Sequence, residues 1–358
     1  MATATNTNTK VVLNQYVPYG RISSDVFTVQ TASPAPSEAD LSEHDILIAP
    51  QYLSVDPYMR SRLASPEHEH VPAFIKGDAV NGPGVAKVLA SKNPMFATGD
   101  MISGFDIPWA QFSVLSVVPG SHMDHMVQKI QGPLASVPMD WHMGAIGLGS
   151  FTGWYGLTEV GKPKPGETVV ISSATGSVGQ MVVQKAKALG LKVVAVAGSD
   201  EKVQYLKNTL KVDAAFNYKT VSSYAEALSE ACPKGVDIYY DNVGGEFLDA
   251  VLAHTNKFGR VVACGAISGY QAEKGKLYGI KNYHQIITSQ ITIQGFFISD
   301  YYPTHYEAFV RDLSTLVKEG KFVYKLAVTY GLHNGPQAVI DMLEGRNFGK
   351  AVIKVAEL

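Results

Sequence analysis

The segment Thr168-Val169-Val170-Ile171-Ser172-Ser173-Ala174-Thr175-Gly176-Ser177-Val178-Gly179 constrains this chain most: an apolar strand-length run enters a glycine turn at the mouth of a helix. In Gln180 to Leu189, Met181, Val182, Ala186 and Leu189 share one face at helical spacing, while Gln180, Gln184, Lys185 and Lys187 fall elsewhere. Gly190 then stands where a helix C-terminus favours glycine. Further apolar runs begin near Thr168, Lys192, Asp213, Val236, Gly259 and Ile291, and helix-length segments fill most gaps. Strands alternating with helices predict a parallel sheet with right-handed crossovers, so residues 140–315 are expected to form an α/β doubly wound domain.

The turn itself is a variant of G-x-G-x-x-G. Ala174 takes the first position, that of the tight turn; Gly176, where backbone approaches a pyrophosphate, takes the second; Gly179, where helix packs on strand, takes the third. Amides at the helix start then face a diphosphate, and Thr175, Ser177 and Val178 complete the loop. An acidic residue about twenty positions on would hold the ribose of NAD. Here the second strand's tip reads Gly198-Ser199-Asp200-Glu201-Lys202. Lys202, one turn into the next helix, suits the 2'-phosphate of NADP, and Asp200 keeps NAD open.

Outside that domain the grammar differs. Short extended runs at Val11 to Tyr16, Ile46 to Val55, Val85 to Leu89 and Phe112 to Val118 are separated by turn formers such as Asn81-Gly82-Pro83-Gly84, which predicts a barrel or sandwich. Trp141 to Val160 is helix-compatible despite its glycines. After a helical stretch at Thr304 to Glu319, strand-like Val323 to Tyr330 and Lys350 to Val355 flank a helix at Pro336 to Leu343 and are expected to complete the barrel. The domains are therefore 1–139 with 316–358, and 140–315.

Thirty Lys plus Arg against 32 Asp plus Glu give a net charge of -2, so no basic field exists to hold nucleic acid or an acidic membrane. The two cysteines, Cys232 and Cys264, are far apart, which supplies neither a disulfide framework nor a zinc-binding set. The cluster His68-Glu69-His70 and the pair His122 and His125 lack an evident partner set, so no metal is expected. The polar start MATATNTNTK has no targeting character and no run is long enough for a membrane span, so the cytoplasm is the expected location. No G-x-S-x-G elbow follows a strand, which disfavours a Ser-His-Asp hydrolase.

Several further motifs stand in register with the loop: Asp56-Pro57-Tyr58-Met59-Arg60, Gly198-Ser199 with Lys202, Phe216-Asn217-Tyr218-Lys219, Asp241-Asn242-Val243-Gly244-Gly245, Cys264-Gly265-Ala266-Ile267-Ser268 and Ile293-Gln294-Gly295-Phe296. With them the chain resembles, over nearly its whole length, the zinc-independent medium-chain dehydrogenases/reductases. The branch is that of NADPH-dependent alkenal double-bond reductases, prostaglandin or leukotriene reductases and curcumin-reductase-like enzymes. The resemblance implies a GroES-like β-barrel domain beside a Rossmann domain, NADPH as cofactor, and a homodimer. It also implies that Lys202 and Tyr218 contact the 2'-phosphate, Asn242 the nicotinamide ribose region and Cys264 the cofactor wall. Tyr270 faces substrate and nicotinamide, Pro57 and Tyr58 close the cleft from the barrel, Phe296, Phe297 and Ser299 line the pocket, and Asn347 with Gly349 return to the cofactor.

The expected reaction is reduction of the C=C bond of α,β-unsaturated aldehydes or ketones, with Tyr270 as first choice of donor to the developing enolate oxygen and Tyr58 as the second catalytic candidate. Cys264, among apolar neighbours, is assigned no chemistry of its own. A quinone reductase of the same superfamily and a non-catalytic NADPH-binding sensor are the alternatives. The chain departs from the plant-type double-bond reductases at Gly82-Pro83-Gly84, where those carry a tyrosine between the glycines. At Thr288, too, a family tyrosine is absent, with Tyr283 nearby. Their aromatic substrate preference is not carried over.

Overall fold

The structure, a computed structural model, describes residues 7–32, 34–66 and 71–355. They fall into two compact units. The first holds the chain up to Met143, then Leu326–Asn347 and the residues from Ala351 on; the second holds Gly144–Lys325 and Phe348–Lys350.

The first unit opens with an antiparallel pair, β1 (Asn8–Leu13) and β2 (Phe27–Ala32). Then come β3 (Asp45–Ser54), α1 (Met59–Arg62), β4 (Asn81–Ser91), β5 (Met101–Pro108), β6 (Ser113–Ser116), α2 (His122–Met126), β7 (Val127–Lys129) and α3 (Met139–Met143). β3 reads as a nearly continuous apolar run because most of it is buried. One side of it pairs with β4 along most of its length, and the strand also pairs antiparallel with β6 at Asp45–Ile48.

In the second unit, the segment expected as one helix from Trp141 to Val160 is broken at residues 144–147 and resumes as α4 (Leu148–Tyr155). Its glycines serve contact: a Cβ at Gly153 would lie 2.7 Å from the Val178 carbonyl oxygen of the helix it packs on. The alternation follows as expected: β8 (Thr168–Ile171), α5 (Ser177–Ala188), β9 (Lys192–Ala197), α6 (Asp200–Asn208), β10 (Ala214–Asn217), α7 (Tyr224–Ala231), β11 (Val236–Asp241), α8 (Gly245–Leu252), β12 (Thr255–Ala263), α9 (Tyr283–Thr288), β13 (Thr292–Gly295) and α10 (Tyr302–Lys318). The six strands form one parallel sheet in the order β10-β9-β8-β11-β12-β13, the doubly wound order of a Rossmann domain. Val170, Val194, Val196, Tyr239 and Val261 from the sheet pack against Leu228, Phe247 and Val251 from the helices. This burial of apolar surface is the main driving force for the unit.

The chain then returns to the first unit as β14 (Leu326–Tyr330), α11 (Gly335–Leu343) and β15 (Lys350–Lys354), and the larger sheet reads β14-β15-β3-β4-β5-β7 with β6 on β3. β14 starts later than the expected Val323 for a physical reason. Gln184 accepts from Val323 N at 2.8 Å and donates to its carbonyl at 2.9 Å, while Gln180 does the same for Lys325 at 2.8 and 3.2 Å. Two glutamines off the apolar face of α5 are thus fully or nearly buried, standing in for a neighbouring strand. The same contacts, and burial of Phe309, Leu313 and Leu316 on α10, carry the second unit past residue 315 to Lys325. Among the described residues no helix is long and apolar enough to cross a membrane.

Candidate nucleotide-binding and catalytic site

In this strand order the connections leaving β8 and β9 diverge from those leaving β11 and β12, opening a crevice at the carboxyl ends of β8 and β11. Those two ends are tied together. Asn242 N donates to Ser172 Oγ at 2.9 Å and Asn242 Nδ2 to the Ser172 carbonyl at 2.7 Å.

In the turn after β8 the left-handed residue is Ser173, with φ of 50°, and the buried amide of Ala174 bonds the Val196 carbonyl at 3.0 Å. Thr175 is buried, and Gly176 is the N-cap of α5 without a side-chain cap, so the first amides of the helix are left for a ligand or water. Val178 is half-buried in that first turn. Ser177 turns its hydroxyl to the Tyr324 hydroxyl at 2.9 Å. Gly179 does what its position predicts: a Cβ there would come within 2.4 Å of the Ser173 carbonyl oxygen and 2.6 Å of Ala174 Cα.

At the end of β9, a Cβ on Gly198 would press on the Tyr218 ring at 2.9 Å. Ser199 caps α6, accepting from Lys202 N at 3.3 Å. Lys202 is half-buried; burial and the nearby positive Lys219 pull its pKa down, against the opposing pull of Glu201. The Lys219 ammonium stands 5.8 Å from the centre of the Tyr218 ring, which is 41% exposed. Asp200, the residue that kept NAD open, is held by Asn217, whose Nδ2 donates to Asp200 Oδ1 at 2.8 Å. Two cations and a phenol around a glycine floor fit a phosphate bound to ribose.

At the end of β11, buried Asp241 accepts through one oxygen from the Tyr239 hydroxyl at 2.8 Å and the amides of Val243 and Gly244 at 2.9 and 2.7 Å. Burial raises its pKa against those bonds. The Asp241 carbonyl accepts from the amides of Cys264 and Gly265 at 2.9 and 3.0 Å, fixing the turn after β12. Burial pushes the Cys264 thiol up to about 12, with the Tyr240 hydroxyl as hydrogen-bond partner, which holds it as a neutral thiol at neutral pH. Tyr270 folds back over this turn, its hydroxyl 3.5 Å from the Ala266 amide that donates to it. Burial raises its pKa against the bond from the Ala266 amide, and the Cys264 and Asp241 groups add to the rise. After β13, Phe296 packs on Tyr155 with ring centres 5.5 Å apart, while Phe297 and Ser299 are exposed.

Ala174 to Gly179, Gly198, Lys202, Tyr218, Asn242, Cys264 and Tyr270 thus share the carboxyl ends of neighbouring strands in one unit, and Gly349 is counted with them. Pro57, Tyr58 and Asn347 belong to the first unit. There Pro57 is exposed, and half-buried Tyr58 shares a hydrogen bond with Arg62. Burial, then Asp56 and Asp106, drive the Tyr58 pKa far up, with Arg62 opposing. Ser172, Asp241 and Lys219 were not singled out from the sequence, although each sits inside a motif that was; Ser172 and Asp241 reveal their roles only through contacts between strands. Cys232 is buried in the sheet's apolar core. His68, Glu69 and His70 lie outside the described residues, among which no group of three potential metal ligands comes together.

Residues 10–123 match the family model for the N-terminal domain of oxidoreductase, and residues 177–315 that for zinc-binding dehydrogenase. The chain is 38% identical to the NADP(+)-dependent 2-alkenal reductase of Nicotiana tabacum over 98% of both chains. It is 36% identical to (+)-pulegone reductase of Mentha piperita, again over 98% of each. CurA from Vibrio vulnificus, solved in complex with NADPH, superposes with a TM-score of 0.87 at 32% identity, covering 98% of this chain and all of that one. The shared architecture is a GroES-like β-barrel domain with a Rossmann domain.

Proposed function

We propose a reaction for this chain on one premise: it belongs to the zinc-independent medium-chain dehydrogenase/reductase family. It is an oxidoreductase, its cofactor is NADPH, and the reaction is reduction of the C=C bond of α,β-unsaturated aldehydes and ketones. One observation carries the reading: a tyrosine hydroxyl that burial keeps protonated lies over the turn after β12, at the same strand ends as the loop for the diphosphate.

Lys202, Lys219 and Tyr218 hold the 2'-phosphate, and the amides at the start of α5 hold the diphosphate. Asn242, fixed by Ser172, sits at the switch point for the nicotinamide ribose, and Cys264 forms the adjoining wall. Bound there, NADPH would supply a hydride for the β-carbon, and water would supply the proton that the α-carbon takes to complete the saturated product. The Tyr270 hydroxyl donates a hydrogen bond to the carbonyl oxygen as charge builds on it. A tyrosine phenol keeps its proton at neutral pH, and burial moves its pKa further from that range, so the oxygen meets a donor and not a second anion. Tyr58, in the first unit, is the second catalytic candidate and is likewise protonated. Phe296, Phe297 and Ser299 line the pocket, and Gly349 belongs with the cofactor site. The partner is a small enal or enone, and a homodimer belongs to the same reading. The edge strand β13 is exposed along its length, with Ile293 37% exposed, and such edges in stable proteins are usually covered.

Mixing protein, NADPH and a medium-chain 2-alkenal tests the reading. NADPH oxidation with formation of the saturated aldehyde is expected; recovery of the allylic alcohol, or oxidation with quinones and none with enals, would overturn it.

A further inference from the structure

The tail contains a feature that the cofactor loop alone does not explain. Residues Phe348–Lys350 belong to the dinucleotide unit although the residues on both sides of them belong to the other. Three contacts within the unit hold them. The Phe348 ring meets Tyr205 of α6 edge-on, with centres 5.3 Å apart. The Lys325 ammonium lies 4.4 Å from the centre of the Phe348 ring and 5.9 Å from that of Tyr205, and the Lys350 amide donates to the Lys325 carbonyl at 2.9 Å.

Every part of this cluster runs to one side chain. Gln180, fully buried in the first turns of α5, accepts from the Lys325 amide at 2.8 Å and from the Tyr205 hydroxyl at 3.3 Å, and donates to the Lys325 carbonyl at 3.2 Å. Gln180 follows the loop that faces the diphosphate, and Tyr205 lies one turn beyond Lys202 on α6. Gly349, with φ of 107°, holds a backbone conformation that side chains other than glycine rarely adopt, so the turn it makes is built to a set shape.

Resting on the NADPH reading, we propose that Lys325 and Phe348 are positioning residues. They clamp the Phe348–Lys350 segment to α5 and α6, and so set the affinity for NADPH without touching the reacting atoms. A cation held against two rings and a fully bonded glutamine gives the clamp one geometry.

The test is NADPH titration by protein fluorescence, with steady-state kinetics, on wild type, Phe348→Ala, Phe348→Tyr, Lys325→Met and Lys325→Arg. Phe348→Ala is expected to weaken NADPH binding about tenfold and Lys325→Met about fivefold, the scale of lost ring and cation-ring contacts. The kcat at saturating NADPH stays within about twofold, because contact with the reacting atoms is intact. Phe348→Tyr and Lys325→Arg restore affinity, a rescue that general destabilisation does not give. Wild-type affinity in Phe348→Ala and Lys325→Met, or a loss confined to kcat, would overturn the clamp. Should Phe348→Ala fail to fold, the Lys325 pair decides alone. Failure of the wild-type protein to bind NADPH would instead remove the reading on which the clamp rests.

Discussion

The two units hold their candidate tyrosines by opposite means. Around Tyr270 the polar work is done by backbone and by neutral groups: Asp241 is satisfied by two amides and a phenol, and Tyr270 itself accepts from an amide. Around Tyr58 it is done by charged side chains. Arg60, 4% exposed, donates to the carbonyls of Val17 and Gly20 at 2.7 and 3.0 Å. Arg62, 8% exposed, reaches the carbonyls of Pro72 and Asn81, stands 3.8 Å from Asp106 and lies over the Phe74 ring. The Ser54 hydroxyl donates to Asp56. A site held mainly by backbone fails first with added bulk, and a site held by buried charged side chains fails first when one of those charges is removed.

The largest effect expected from this contrast is Gly179→Val. The new side chain meets backbone atoms that cannot swing away, so NADPH binding is lost and stability falls by about 1–3 kcal/mol. Calorimetry and thermal melting check both, and normal binding would break the claim that backbone approach defines the cofactor site. Next is Tyr270→Phe, for which turnover falls by about 10²- to 10³-fold, the usual cost of one oxyanion donor, with NADPH affinity unchanged. Turnover near wild type would move the donor role elsewhere.

Lys202→Ala ranks third. Losing a charged partner of a phosphate costs about 1.5–3 kcal/mol, so preference for NADPH over NADH drops by roughly ten- to a hundredfold. The wild-type protein carries a pH signature of the same lysine. Because burial and Lys219 lower its pKa, its charge is lost at lower pH than that of a solvent-exposed lysine. NADPH affinity therefore declines as pH rises through that lowered value, and the decline is smaller in Lys202→Ala. The smallest effect is Asp106→Asn, a change of a few-fold in turnover at neutral pH. Removing that carboxylate, which stands 3.8 Å from Arg62, alters the charges around Tyr58 while the phenol keeps its proton at neutral pH. Turnover equal to wild type in both Asp106→Asn and Tyr58→Phe would separate Tyr58 from the reaction.

What the sequence disclosed follows the same contrast. Rossmann strands announce themselves because all six lie in chain order with helices between, and Gly179 and Gly198 mark where backbone or a ring must come close. The cofactor half was therefore legible. Arg60 bonding Val17 across 43 residues, and Asp106 meeting Arg62, leave no local spacing to find. Gln180 and Gln184 misled for a related reason: helical periodicity marks them as off the apolar face, yet they are buried because they satisfy the backbone of residues 323–325. The bond from the Ala174 amide to β9, and the left-handed Ser173 before it, are tertiary details that no motif spacing encodes.

The central claim is that electrons held beside the Ala174 turn reach the far carbon of a conjugated alkene. NADPH labelled with deuterium at C4, turned over with a 2-alkenal and followed by mass spectrometry and NMR of the product, tests it most directly. The account predicts deuterium on the β-carbon of a saturated aldehyde. Deuterium on the carbonyl carbon, or a product without label, would contradict it.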